Sequence, residues 1–502
     1  MDPAPEPSPS PAHSRSANLR ADGDTASPAS TALARDLDLD LELTPAFRLL
    51  DLPDELQLLV VQAVDVRDPS PTFPCGPSPE LLALAQTSSW FYDVCRPLIW
   101  RSVRYTPASP FRPQEYRNRR NLAQLADLLE TRAGQQSPLP VVALSVGDIG
   151  DDDDFFGEDA EALHREETAL VDVVQRLAAT SLQVLFLKHM EVHQLRGAML
   201  LEAVATSPRL SALRFNQVDF YPEEPGVVPS FSSLPHVKTL QIMHSDPELF
   251  ELVDKCPNVD SLLLWPSLRR IGQRINVIKG LLPHLRNLSL DSVREAKAFR
   301  VIADEIIRLS DAGTDLPLEE LFLEGPCTSA DLAVLVSAIA RLPALRRLAL
   351  YQVHNPKPAL VADLASAAPQ LRALTLVAGD CQEAVEWTAP LDEYIAQLSK
   401  FPALRFFAWD RLSPRAPRAP GEEDRRAVRQ AQIEYATLSR LGGACRTLRE
   451  AVCITSDVSE GSTGYFARYT PERGGRLRIT VKMQTVNDFL IGYDRWVQVQ
   501  ED

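Results

Sequence analysis

One short apolar motif recurs along most of this chain and limits what it can fold into. It reads Φ-x-x-Φ-x-Φ, with Φ apolar, and usually has a proline two residues ahead. Pro208-x-Leu210 leads into Leu213 and Phe215, Pro343-x-Leu345 into Leu348 and Leu350, and Pro402-x-Leu404 into Phe407 and Trp409. From Leu182 the first apolar position recurs at 210, 237, 259, 285, 318, 345, 371 and 404, in steps of 28, 27, 22, 26, 33, 27, 26 and 33. The closing Φ-x-Φ alternates as in a strand. Between these strands lie stretches at helical spacing. Leu332, Leu335, Val336, Ile339 and Leu342 form one such face, and Phe299, Ile302, Ile306 and Leu309 another. Each proline biases the residue before it out of the helix and toward extended backbone. A strand-plus-helix unit of this size cannot bury its own apolar face, so successive units must stack.

The pattern resembles the leucine-rich repeat family over about residues 140–485. The resemblance implies an α/β leucine-rich repeat solenoid (a horseshoe), with parallel strands lining its concave face. Met190, Val218, Val293 and Val353 stand where the family usually has Asn or Cys, so no buried asparagine ladder is expected. Side chains between the buried leucines point to the other face of the sheet. Phe186, Arg214, Trp265, Phe322 and Tyr351 are therefore expected to be exposed there and to bind a protein target, aromatic residues being common interface anchors. The alternative is that loops or the C-terminal segment cover them. An acidic insertion at 148–167 and a charged, Pro-rich one at 411–430 interrupt the array. Leu448–Ile454 and the alternating Leu477, Ile479 and Val481 read as further strands, and 486–502 as a C-terminal cap.

Upstream of the repeats, Leu49–Trp100 reads as three short helices. Asp51 and Pro53 mark the first start, with Leu56, Leu59, Val60 and Ala63 on one face. Pro79-Glu80 starts the second, with Leu81 and Leu82. Ser88 or Ser89 caps the third, which carries Trp90, Phe91 and Val94, and Pro97 limits its continuation. Leu-Pro-Asp-Glu-Leu, Pro-Glu-Leu-Leu-Ala-Leu, Trp-Phe-Tyr and Pro-Leu-Ile-Trp, in that order, resemble an F-box over about residues 48–104. The loop Arg67–Pro79 is longer than usual for that family, which loop-closure entropy tolerates. The resemblance implies that Leu52, Pro53, Leu56, Leu59, Val60, Leu81, Leu82, Trp90, Pro97, Leu98 and Trp100 bind a Skp-type adaptor, which connects to a cullin. The alternative is that these leucines pack beneath the first repeat as a cap. Residues 105–139 are expected to form a connecting loop and helix. Residues 1–45, rich in Pro, Ala, Ser and Asp, are expected to be a disordered tail.

Composition narrows the partners. Lys and Arg number 52 against 68 Asp and Glu, a net charge of −16, which argues against a general nucleic-acid or membrane-surface binder. The 7 cysteines are scattered without a CxxC, consistent with free thiols in a reducing cytoplasm or nucleus. The N-terminus carries no signal-peptide pattern, and no long apolar run is present to span a membrane. No phosphate-binding, nucleotide-binding, hydrolase or zinc motif appears, so no catalytic residue, metal or cofactor is expected. His189 and His193, four apart, straddle a strand end and do not make a helical metal pair. The resulting reading is a substrate-recognition subunit of an SCF-type ubiquitin ligase that recruits a protein target through its repeats. The rival readings are a non-catalytic repeat scaffold and a repeat protein that regulates an enzyme.

Overall fold

A computed structural model describes residues 53–64, 79–105, 122–133, 141–149, 160–221, 232–245, 247–265, 271–290, 297–353, 356–378, 387, 389–410, 436–437, 439–454, 463–471 and 477–485. The chain divides into two compact units, residues 1–60 and 61–502. The expected tail at 1–45, the charged insertion at 411–430 and the cap at 486–502 lie outside the described residues, as do Asp51, Leu52 and Val293.

Three helices come first: α1 (Asp54–Val64), α2 (Pro79–Ala85) and α3 (Ser89–Arg101). The amides of Leu56 and Gln57 donate to the Pro53 carbonyl at 2.9 and 3.0 Å, so Pro53 stands just outside the helix rather than within its first turn. Ser88 caps α3, its hydroxyl oxygen accepting from the Phe91 amide at 3.2 Å. Pro97 does not stop α3, which continues for four more residues to Arg101. Proline costs a helix one backbone hydrogen bond. The buried Phe91 and Cys95 on the same helix anchor it against that loss.

Among the described residues, twelve strands then form one parallel sheet in strict chain order. They are β1 (Ser102–Tyr105), β2 (Ala143–Ile149), β3 (Val184–His193), β4 (Ala212–Tyr221), β5 (Thr239–Met243), β6 (Ser261–Trp265), β7 (Asn287–Leu290), β8 (Glu320–Cys327), β9 (Arg347–Val353), β10 (Ala373–Leu376), β11 (Phe406–Asp410) and β12 (Glu450–Ile454). The mixed α/β class expected from the repeat spacing is observed. The sheet reaches back two strands further than the spacing counted from Leu182, because β2 pairs with β3 and β1 with β2. The last alternating segment does not join it. β13 (Thr463–Pro471) and β14 (Leu477–Thr485) pair with each other, antiparallel, in a separate two-stranded ribbon.

Register explains why the motif has its spacing. The middle Φ positions align strand to strand, as in Leu213–Leu240–Leu262–Leu288–Leu321–Leu348, and so do the last ones, as in Phe215–Ile242–Leu264–Leu290–Leu323–Leu350. Both rows are buried and belong to one continuous core. Helices cross over between strands. They include α4 (Leu122–Ala133), α5 (Ala160–Ala178), α6 (Gln194–Ala205), α7 (Leu252–Lys255), α8 (Ile271–Leu281), α9 (Lys297–Asp311), α10 (Ser329–Ile339), α11 (Pro358–Ala367) and α12 (Leu391–Leu398). In α10 a capping box sets the start: Asp331 N–H donates to the Thr328 hydroxyl at 3.3 Å, and Thr328 N–H donates to the Asp331 carboxylate at 3.2 Å.

Part of the acidic stretch is structural rather than a solvated insertion. Its last residues start α5, and Glu167 there is buried, ion-paired with Arg196 and accepting from the His193 amide at 3.0 Å. A bare buried carboxylate is costly, and these donors compensate it.

Candidate functional site

Two surfaces follow from the sequence reading: the apolar helices and the sheet face opposite the leucine rows. On α1, Leu56, Leu58 and Leu59 are 45, 46 and 57% exposed, while Gln57 is buried. Pro53 is exposed and Val60 half-buried. A helix in water ordinarily buries its leucines and shows its polar residues. Here Val61 is fully buried, but the three leucines face solvent while Gln57 does not. On α2 and α3, Leu82 and Tyr92 are exposed, Pro97 is exposed, and Trp90, Leu98 and Trp100 are half-buried. The Trp90 ring stands edge-on to buried Phe91, with centroids 4.9 Å apart. Leu81 departs from expectation: it is fully buried and serves the packing of its own unit. Tyr92, 48% exposed, is an accessible side chain that the sequence reading did not single out.

The sheet face overturns the expected exposure of its aromatics. Phe186, Trp265, Phe322 and Tyr351 are 8, 6, 3 and 6% exposed, and Arg214 is 1% exposed. Phe186, Arg214 and Phe322 do lie between the leucine rows, and Trp265 and Tyr351 directly follow the second row. In-register neighbours in a parallel sheet sit only about 4.8 Å apart, so large side chains shield one another along the row. Phe322 pairs with Ala349 across the register and packs against the Tyr351 ring, tilted by 33° with centroids 4.9 Å apart. Small residues beside the rings, Ala349, Ala373 and Ala408, join the same apolar cluster. Met243, Leu263 and Trp265 form a second one. Polar groups that stay partly accessible on these strands include Lys188, Gln241, Glu324 and Gln352, with Gln352 donating to Glu324 at 3.1 Å.

The position of the missing asparagine ladder is apolar. Met190 and Val218 are in register and buried, as are Cys327 and Val353. Ser245 makes a local substitute: its hydroxyl donates to the Met243 carbonyl at 2.8 Å and accepts from the Val218 amide at 3.1 Å. The residue just before this position is left-handed in four repeats: His189, Gln217, His244 and Gln352, with φ of 49, 53, 49 and 59°. That conformation is uncommon for residues other than glycine. Among the described residues it recurs at one sequence place, inside β3 and β4, next to last in β9 and just past β5. His189 and His193 both lie within β3 and do not straddle its end. Among the described residues no group of three or more His, Cys, Asp or Glu could hold a metal, and no helix is long and apolar enough to cross a membrane.

No protein-family model and no curated protein matches the chain. Solved structures similar to it include the complex of Rad7 and Elc1 in yeast, at 12% identity and a TM-score of 0.37, covering 80% of this chain and 97% of that one. Another is a structural-genomics target from Bacteroides fragilis, at 14% identity and a TM-score of 0.24, covering 64% of this chain and 70% of that one. Neither likeness is close enough to assign a function.

Proposed function

We propose that this chain is the substrate-recognition subunit of an SCF-type ubiquitin ligase. Its F-box-like helices bind a Skp-type adaptor and through it a cullin. Its strand-and-helix repeats, read as a leucine-rich repeat solenoid, hold a protein target. The observation that carries this reading is the inverted exposure of α1, where three leucines face solvent in the segment that carries the F-box-like motif. Leu82 adds exposed apolar surface in the second of those motifs. Pro53, Val60, Trp90, Pro97, Leu98 and Trp100 are the further adaptor contacts in this reading, together with Leu52. The ordered run of one strand per repeat supports the solenoid. The chain contributes proximity between target and charged enzyme, with no catalytic residue of its own. It acts in the cytoplasm or nucleus.

The test is capture of a purified Skp-type adaptor by the full chain, with Leu56→Asp/Leu59→Asp alongside. Burying a leucine at an interface contributes about 1.5–3 kcal/mol, so losing two lowers affinity by roughly a hundredfold or more. Both leucines are exposed, so the variant should melt with the wild type. Absence of capture by folded wild type, or equal capture by the variant, overturns the adaptor reading in favour of a scaffold.

A further inference from the structure

The residues just ahead of each strand form a ladder of their own. Their backbones are joined in turn: Arg372 N–H donates to Arg346 O at 2.7 Å, Arg405 to Arg372 at 2.8 Å, and Arg449 to Arg405 at 2.7 Å. Four arginines are thereby stacked on consecutive strands about 4.8 Å apart. Arg346 and Arg449 are exposed, and Arg372 and Arg405 half-buried. None of the four has a side-chain hydrogen bond or ion pair among the described residues. The earlier rungs differ. Lys238, Asp260, Arg286 and Glu319 alternate in sign along the same ladder, and Arg286 pairs with Glu319 at 3.2 Å. Nearby Arg347 is likewise committed to Glu320. Charge is balanced over the first rungs and left unbalanced over the last four, in a chain whose net charge is −16. Like charges this close repel, and an anionic partner relieves that cost.

The geometry points to Arg346, Arg372, Arg405 and Arg449 as a docking strip for an acidic, extended segment of a partner protein. Three steps of the ladder span roughly 14 Å, the length of four or five extended residues. Nucleic acid fits less well. Phe406 and Phe407, the aromatics closest in sequence to Arg405, are 9 and 1% exposed, so they offer no platform for base stacking. This inference stands apart from adaptor binding.

Fluorescence anisotropy of labelled hexaglutamate with the full chain tests it. Binding should be measurable at about 50 mM salt and weaken as salt rises. Replacing all four arginines by serine should lower affinity at least about tenfold, and replacing them by lysine should preserve most of it. Arg286→Ser, whose guanidinium already serves Glu319, should bind as wild type. If the fourfold serine variant does not fold, Arg346→Ser and Arg449→Ser, both at exposed positions, should each weaken binding. Folded wild type without salt-sensitive binding, or serine variants that bind as wild type, overturns the proposal. So does tighter binding of oligothymidylate than of hexaglutamate, which would reassign the strip to nucleic acid. Adaptor capture by the same variants is expected to be unchanged, so the two readings fail separately.

Discussion

At the scale of single residues, burial decides the chemistry of the thiols. Cys256 is fully buried, and desolvation pushes its pKa from 9.0 up to about 12. Cys327 rises to about 12, through desolvation first and the neighbouring Asp331 charge second, and burial raises Cys445 to about 11. A thiol that ionises near pH 9 when unfolded and near 11 or 12 when folded favours the native state below pH 9. That contribution is lost as pH rises through the folded values. The urea midpoint is therefore expected to hold between about pH 7 and 8.5 and to fall from about 9 upward. A variant with Cys256, Cys327 and Cys445 changed to alanine should show a shallower fall. An equal fall in both proteins would assign the effect to other groups.

At the scale of elements, one glycine makes room on β2 for a lysine stem from β3. A Cβ on Gly147 would lie 2.6 Å from both Cγ and Cε of Lys188, on the next strand and in register. The lysine stem lies across the glycine, and Lys188 is half-buried there. Gly147→Ala should cost up to about 1 kcal/mol, since a lysine stem can shift where backbone could not, seen as a lower urea midpoint. Lys188→Ala in the same chain should recover most of that loss, because it removes the atoms that collide. The coupling between the two changes is the measured quantity, and simple additivity would mean the strain lies elsewhere.

At the scale of the whole molecule, the second unit is a chain of neighbours. Each strand from β2 to β11 pairs with the strands before and after it in sequence, and one core runs continuously behind the sheet. In such an arrangement stability is a sum of local and nearest-neighbour terms. Leu348 is fully buried in the middle row, so Leu348→Ala should cost about 2–5 kcal/mol. Hydrogen exchange should then speed up in β8, β9 and β10 and in α10 and α11, while β3 and β4 keep their wild-type rates. Uniform acceleration across all strands would show that the unit opens as one.

The repeat spacing, by itself, determined the class of fold and the place of most strands. A leucine that must align with its neighbours across the sheet has to recur once per unit, and the prolines mark where each helix yields to a strand. The arginine ladder was legible by the same rule, since Arg346, Arg372 and Arg405 each directly follow the first apolar residue of their repeat. The capping Ser88 and the apolar Met190 and Val218 were legible too, because caps and buried positions are local properties. Tertiary structure alone decided the rest. Alternation assigns a side chain to a face, but accessibility depends on what the adjoining strands place beside it. Phe186, Trp265, Phe322 and Tyr351 could be assigned to the right face from sequence and still prove buried. Leu56 and Leu59 obey the same logic in the other direction. Their helical spacing predicts one apolar face, and whether that face is covered or left open is set by packing, which no local pattern specifies.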